Sequence, residues 1–292
     1  MTPLVLSLVL GSALLHIIWN SVVKASPDKA AFAWLSSVGS VCFLCLAWPL
    51  GWWLEPGAAM TGNTLAWAAL SGCFQTAYVI LLFAAYSAVD LSVVYPVNRG
   101  GAPIMVMAAA GFLVGDTVSA MQGAGVGLAA LGALVVGLTG RNAAGKISLS
   151  GLGLCLLTSA ATAGYIITDR KVMSSMGPPR PMDYLLVCTV FQTIGISAWM
   201  ALRRFRFAAL GEVFASHRRS VILASVFIPL SYLLIIVALQ FGNVTLISAG
   251  RNVSILLSAL VGRAFLRENV SPRRALGTVC IFIGLVLIAL SR

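Results

Sequence analysis

Charge is scarce in this sequence. Only 9% of its 292 residues are Asp, Glu, Lys or Arg, roughly a third of the ~25% typical of a soluble domain. That scarcity excludes a water-soluble chain. Histidine is scarcer still, with His16 and His217 as the two present, so neither a tetrahedral metal set nor a Ser/His nucleophile pair can be assembled. No basic residue precedes the apolar run of residues 4 to 23, and that run is too long for a cleavable signal peptide. It reads as a first transmembrane helix. The six cysteines, at positions 42, 45, 73, 155, 188 and 280, all fall inside apolar runs and act as small hydrophobic residues, not as a redox loop.

Apolar residues are abundant, at 60%. Spans of about 20 residues appear at 4–23, 30–51, 64–87, 91–114, 119–138, 150–169, 183–202, 219–240, 245–265 and 273–290. The expected fold is an all-α membrane protein of ten transmembrane helices. The connection Gly140-Arg141-Asn142-Ala143-Ala144-Gly145-Lys146 leaves five helices on each side. A shift of 152 residues brings Asp116-Thr117-Val118-Ser119 onto Glu268-Asn269-Val270-Ser271, Gly125 onto Gly277, Gly132 onto Gly284 and Arg99 onto Arg251. Two repeats, 1–140 and 147–292, are therefore expected. An odd number of helices in each makes them inverted, with a site at their interface.

Net charge is +11, which in this setting is a topology signal and not a sign of nucleic acid. With alternating helices, 13 basic residues fall on one membrane face, including Lys24, Lys29, Arg141, Arg203, Arg204, Arg206, Arg218 and Arg219. Four fall on the other: Arg170, Lys171, Arg180 and Arg292. The basic face is expected to be cytoplasmic, with both termini outside.

The remaining two cations are intramembrane. Arg99 lies in Tyr95-Pro96-Val97-Asn98-Arg99-Gly100-Gly101-Ala102-Pro103, about a third to halfway through its span, where charge is expensive and marks a functional candidate. The prolines and glycines around it predict a kinked or interrupted fourth helix. Arg251, followed by Asn252, is its repeat partner. Polar and aromatic stripes on other spans suit the same cavity: His16, Trp19 and Asn20; Gln75 and Tyr78; Thr158, Thr162, Tyr165 and Asp169; and Tyr232 after Pro229. The candidate substrate-binding set is Arg99, Asn98, Tyr95, Arg251, Asn252, His16, Trp19, Asn20, Gln75, Tyr78, Tyr165 and Tyr232. Asp90, Asp116, Asp169 and Glu268 fall at helix ends, so two arginines without matching mid-membrane acids favour an anionic or zwitterionic solute, which a planar guanidinium grips well. His16 has the one side chain in the bundle that titrates near neutrality and is the candidate for proton coupling. Small-residue spacing at Gly111/Gly115 and Gly123/Gly127 predicts close helix packing, and the fifth and tenth helices read as scaffold.

These residues resemble the drug/metabolite transporter (DMT) superfamily, in particular its ten-helix EamA-type members. The resemblance rests on His16-Ile17-Ile18-Trp19-Asn20 with Lys24, on Asp90 to Pro96 with Arg99 and Pro103, on Asp116, on Gly242-Asn243-Val244, and on Leu266-Arg267-Glu268. It implies a multi-pass carrier of the bacterial inner membrane, with a central cavity between helices 1, 3, 4, 6, 8 and 9. Two departures are Asp116 in place of the usual Glu, and Ile255 where a second-half proline would match Pro103. The expected function is a secondary transporter of a small polar metabolite, such as an amino acid or an organic or phosphorylated acid, by alternating access, with export one option. Proton or exchange coupling, a monomer or homodimer, membrane lipid as surroundings, and no cofactor, metal or nucleic acid complete the expectation. A membrane-embedded enzyme and a non-transporting scaffold are the alternatives.

Overall fold

The computed structural model describes residues 1–23, 28–54, 57–88, 91–138, 149–255 and 272–290. Among them are ten helices: α1 Pro3–Val23, α2 Lys29–Leu54, α3 Gly62–Ala88, α4 Leu91–Val114, α5 Ala120–Leu138, α6 Leu149–Met173, α7 Pro181–Leu202, α8 Ala208–Phe241, α9 Val244–Gly250 and α10 Pro272–Leu290. Six of them, α2, α3, α4, α6, α7 and α8, are long and apolar enough to cross a bilayer, and α1, α5 and α10 carry shorter apolar stretches. Long Leu/Ala/Val/Gly runs become helices in this setting because lipid offers no partner for a free N–H or C=O. Mid-helix hydroxyls obey the same rule: Ser36, Thr76, Thr158 and Thr189 each donate to the carbonyl four residues back. The Gly140–Lys146 connection, Lys24, Asp90 and Leu266 to Glu268 lie outside the described residues.

The packing follows one pattern in both halves. The first-half helix α3 packs on α6 and α7, and its counterpart α8 packs on α1 and α2. Helices α2 and α7 meet each other, as do α4 with α9 and α5 with α10. Interhelical hydroxyl bonds stitch these pairs in the manner of lipid-embedded helices. Trp34 donates to Ser197 at 2.8 Å, Ser37 meets Thr193 at 2.5 Å, Ser40 donates to the Ser225 carbonyl at 3.1 Å, and Ser12 meets Ser231 at 3.2 Å. The largest apolar core among the described residues gathers α1, α3, α4, α6, α7, α8 and α9 around Tyr165, Ile166, Tyr184, Ile236, Leu239 and Ile247.

At the α5–α10 contact the two backbones approach closely. A methyl on Gly132 would lie 2.5 Å from the Gly277 carbonyl oxygen, and one on Gly125 2.8 Å from that of Gly284. The relation is reciprocal, because a methyl on Gly277 or Gly284 would meet the carbonyl of Gly132 or Gly125 at 2.7 and 2.6 Å. Gly125 aligns in sequence with Gly277, and Gly132 with Gly284, so each glycine packs on the other's counterpart, as in a self-complementary two-fold contact. The packing glycines are thus 125 and 132, not the expected Gly111/Gly115 and Gly123/Gly127. Among the described residues a methyl on Gly127 or Gly115 would meet nothing within 4 Å, and one on Gly123 would meet only the Met107 sulfur at 3.8 Å. Gly132→Val is expected to lower the melting temperature in detergent, since overpacking costs about 1–3 kcal/mol or more and backbone atoms cannot step aside. Gly127→Ala, in open space, is expected to raise it slightly through helix propensity.

Three further departures bear on the site. Helix α4 is not interrupted: it stays helical from Leu91 to Val114 across both prolines. Its glycines serve packing, since a methyl on Gly100 would meet the Ala130 carbonyl at 2.7 Å and one on Gly101 the Ser159 hydroxyl at 2.8 Å, so α5 and α6 brace it from two sides. The break falls in the second half instead, where α9 ends at Gly250, residues 251–252 form a turn, and residues 253–255 are helical again. There Asn252, Ser254 and Ile255 donate to carbonyls three residues back, the tight spacing of a helix end. Finally, α8 begins at Ala208, eleven residues before the expected span, and bends at His217 (φ −127°, ψ 25°). Glu212 therefore sits on a helix and not in an open connection.

Candidate functional site

The site is built on α1, α3, α4, α6, α8 and the break after α9. On α4, the Arg99 guanidinium hydrogen-bonds the His16 ring of α1. Guanidinium only donates, so His16 Nε2 is the accepting atom of this bond. Beside Arg99, the Asn98 amide oxygen accepts from the Thr162 hydroxyl of α6 at 3.2 Å. Asn98 thus joins the Arg99 turn of α4 to Thr162, which stands one turn before Tyr165 on α6.

Aromatic rings form the wall of that region. Tyr78 of α3 meets Tyr165 of α6 edge to face at 6.2 Å, and Tyr165 meets Tyr232 of α8 at 5.6 Å, both with ring planes 80° apart. The Arg251 guanidinium lies over the Tyr232 ring, 5.8 Å from its centroid, a cation–π geometry. Next to Arg251, Asn252 is buried to 1%, and neither its amide nitrogen nor its oxygen is bonded among the described residues.

One charged residue sits deeper than its sequence position implies. Asp169 of α6 is 0% exposed. One carboxylate oxygen accepts from Ser71 of α3 at 2.6 Å and from Tyr184 of α7 at 2.9 Å, and the other accepts from the Tyr232 hydroxyl. Gln75 joins this network by donating to Ser71 at 3.2 Å. Asp169 thus holds the tyrosine whose ring carries Arg251.

A second polar cluster closes one end of the bundle. Arg170 grips Asp116, just past α4, with Nε at 3.1 Å and Nη2 at 2.9 Å, while its Nη1 donates to the Leu239 carbonyl of α8 at 2.5 Å. Asp116 also accepts from the Val244 backbone N–H at 2.7 Å, and Asn243 caps α9 by accepting from Thr245 and donating to the Thr117 carbonyl, both at 2.9 Å. Met1, Gln122, Asn243 and Leu290 line one cleft at this end, so both ends of the described chain share this face with Arg170.

Most of the expected residues meet. Arg99, Asn98, His16, Gln75, Tyr78, Tyr165, Tyr232, Arg251 and Asn252 all belong to the region just described. The side chains of Trp19, Asn20 and Tyr95 lie outside the described residues. No group of three or more His, Cys, Asp or Glu side chains is placed to hold a metal ion among the described residues.

Residues 149–290 match the model of the EamA-like transporter family. That match supports a membrane transporter of the drug/metabolite type, and six of the described helices are long and apolar enough to cross a bilayer. No curated protein matches it in a sequence search. Among solved structures it is similar to one described as "Crystal structure of protein", with a TM-score of 0.72 at 16% identity over 98% of this chain and 96% of that one. At that identity the likeness concerns the fold alone. Sequence reasoning did not find the Asp116–Arg170 clamp or the three donors that surround Asp169. Each partner is supplied by a different helix, and the signal available was four polar residues near helix ends.

Proposed function

We propose that the protein is a secondary transporter of a small anionic or zwitterionic metabolite, such as an amino acid or an organic or phosphorylated acid, working by alternating access. Two inverted five-helix repeats, 1–140 and 147–292, form its two halves. The observation that carries the reading is the convergence of Arg99 and Arg251 on one aromatic-walled region, with the repeat-related contacts of α5 and α10 and the parallel α3–α6 and α1–α8 pairings in support. Two guanidiniums can clasp one carboxylate or phosphate bidentately, the tyrosine rings supply an apolar wall, and the unpaired amide of Asn252 gains a partner when a polar solute arrives. The Asp116–Arg170 clamp supports a state closed at the face that bears both termini, and opening that face requires its three contacts to part. His16 is the coupling candidate, because a proton on Nε2 would break its bond to Arg99 and set two cations side by side. The setting that fits is the bacterial inner membrane, with the arginine-rich face toward the cytoplasm.

The test starts with a thermal-shift screen of purified protein against amino acids, organic acids and phosphonates, followed by exchange of each labelled hit across liposomes. Release of the solute chemically unchanged supports a carrier, and a chemically altered product supports an enzyme. His16→Ala is expected to abolish pH-driven flux while leaving counterflow intact, and an unchanged pH dependence would sink the coupling role.

A further inference from the structure

Residues 203–219 join the end of α7 to the membrane-crossing part of α8, and they hold five arginines, Arg203, Arg204, Arg206, Arg218 and Arg219, against one acid, Glu212. All five arginines are exposed. Glu212 is taken by Arg206 at 2.6 Å, and the other four make no ion pair among the described residues. Between them the first two turns of α8, residues 208–216, form a surface helix set off by the bend at His217. Val213 and Leu210 pack it back onto Ala31 and Phe32 of α2 and Val221 and Ala224 of α8. Large apolar groups on and beside it are uncovered: Phe214 of this helix is 46% exposed, Phe207 just before it 56%, and Leu202 at the end of α7 84%. Because one spanning helix ends at Leu202 and the next begins past His217, this segment lies at the bilayer surface. Exposed phenylalanines flanked on both sides by cations suit an interfacial segment, whose rings enter the acyl boundary while the flanking arginines stay at headgroup level.

The backbone adds an independent sign. Arg204 has φ +51°, and the N–H groups of Arg204 and Phe205 donate to the Ala201 and Met200 carbonyls at 3.0 and 2.9 Å. This is the Schellman ending of a helix, whose left-handed residue is usually glycine. A side chain there strains the backbone, so Arg204 is held outward at a local conformational cost that glycine would not incur.

We propose that residues 203–219 bind the headgroups of anionic phospholipids, with Arg203, Arg204, Arg218 and Arg219 as the cationic contacts and Phe207 and Phe214 as the apolar anchors. The partner is the bilayer surface, because the segment is held there by α7 and α8 and its charge is complementary to anionic lipid. The assignment does not depend on which solute the protein carries.

The test compares full-length protein in nanodiscs of phosphatidylcholine alone and of phosphatidylcholine mixed with phosphatidylglycerol, reading melting temperature and, by native mass spectrometry, retained lipid. Phosphatidylglycerol is expected to raise the melting temperature of the unaltered protein. Arg218→Ala with Arg219→Ala should remove much of that increment, with each arginine worth about five-fold in headgroup affinity. Arg204→Gly separates lipid binding from folding, because it relieves the left-handed strain and raises the melting temperature in phosphatidylcholine, yet shrinks the phosphatidylglycerol increment. Increments undiminished in both variants overturn the proposal. An equal increment from soluble polyglutamate or RNA in phosphatidylcholine discs also overturns it, by assigning the surface to a soluble polyanion. Should the double variant fail to fold, Arg204→Gly alone decides.

Discussion

Arg99→Ala is expected to abolish solute binding while leaving the unliganded protein at least as stable as before. The two effects part because of where the side chain sits. Arg99 is half-buried on α4 and its guanidinium donates to His16, so deleting it removes a charge that was costly to bury and leaves His16 without that contact. Binding loses far more. A charged hydrogen bond to a carboxylate or phosphate is worth roughly 1.5–3 kcal/mol, so loss of a bidentate grip corresponds to about 10²- to 10⁴-fold weaker binding. Arg99→Lys keeps the charge but not the fork and should fall between. Arg251→Ala is expected to act in the same direction and also to free the Tyr232 ring beneath it. The check is the solute-induced thermal shift in each variant, followed by exchange in liposomes. Anion hits that persist undiminished in both alanine variants would remove Arg99 and Arg251 from the site.

How far this could be read from sequence depended on the range of the physics involved. Helix number and type were legible because a run of about 20 apolar residues has one stable form in lipid. The intramembrane arginines were legible because their cost is local. The interruption was misplaced because proline and glycine report a tendency to bend, and bracing decides the outcome. On α4 the Ala130 carbonyl and the Ser159 side chain press against Gly100 and Gly101, whereas the Arg251–Asn252 turn has no proline to announce it. The surface helix at 208–216 was missed because two short turns holding Gly211, Glu212 and Ser216, with arginines on both sides, make no apolar run of spanning length. The burial of Asp169 was invisible for another reason: its three donors come from 98, 15 and 63 residues away, and only the convergence of α3, α7 and α8 brings them together.

That convergence makes Asp169 a positioning residue for the site, and Asp169→Ala is expected to lower both stability and affinity. Removal of the carboxylate strands the hydroxyls of Ser71, Tyr184 and Tyr232 in a fully buried place, at about 1–3 kcal/mol for each donor that finds no other acceptor. A loss of that size could come from structure alone, so the milder pair Asp169→Asn and Tyr232→Phe carries the argument. Tyr232→Phe keeps the ring over which Arg251 lies and deletes only the hydroxyl that binds Asp169. Asp169→Asn keeps one oxygen but turns an amine toward hydroxyls that donate. If Asp169 acts on the solute through Tyr232 and Arg251, each variant weakens solute binding, and the double variant is no weaker than the worse single one. Contacting residues in one network show such coupling at about 0.5–3 kcal/mol, roughly 2- to 150-fold in affinity. Solute affinity measured across this four-protein cycle is the deciding quantity. Additive losses would mean that Asp169 only holds α3, α6, α7 and α8 together. A non-additive cycle would mean that the buried acid, although screened from the solute by tyrosine, sets the angle at which Arg251 receives it.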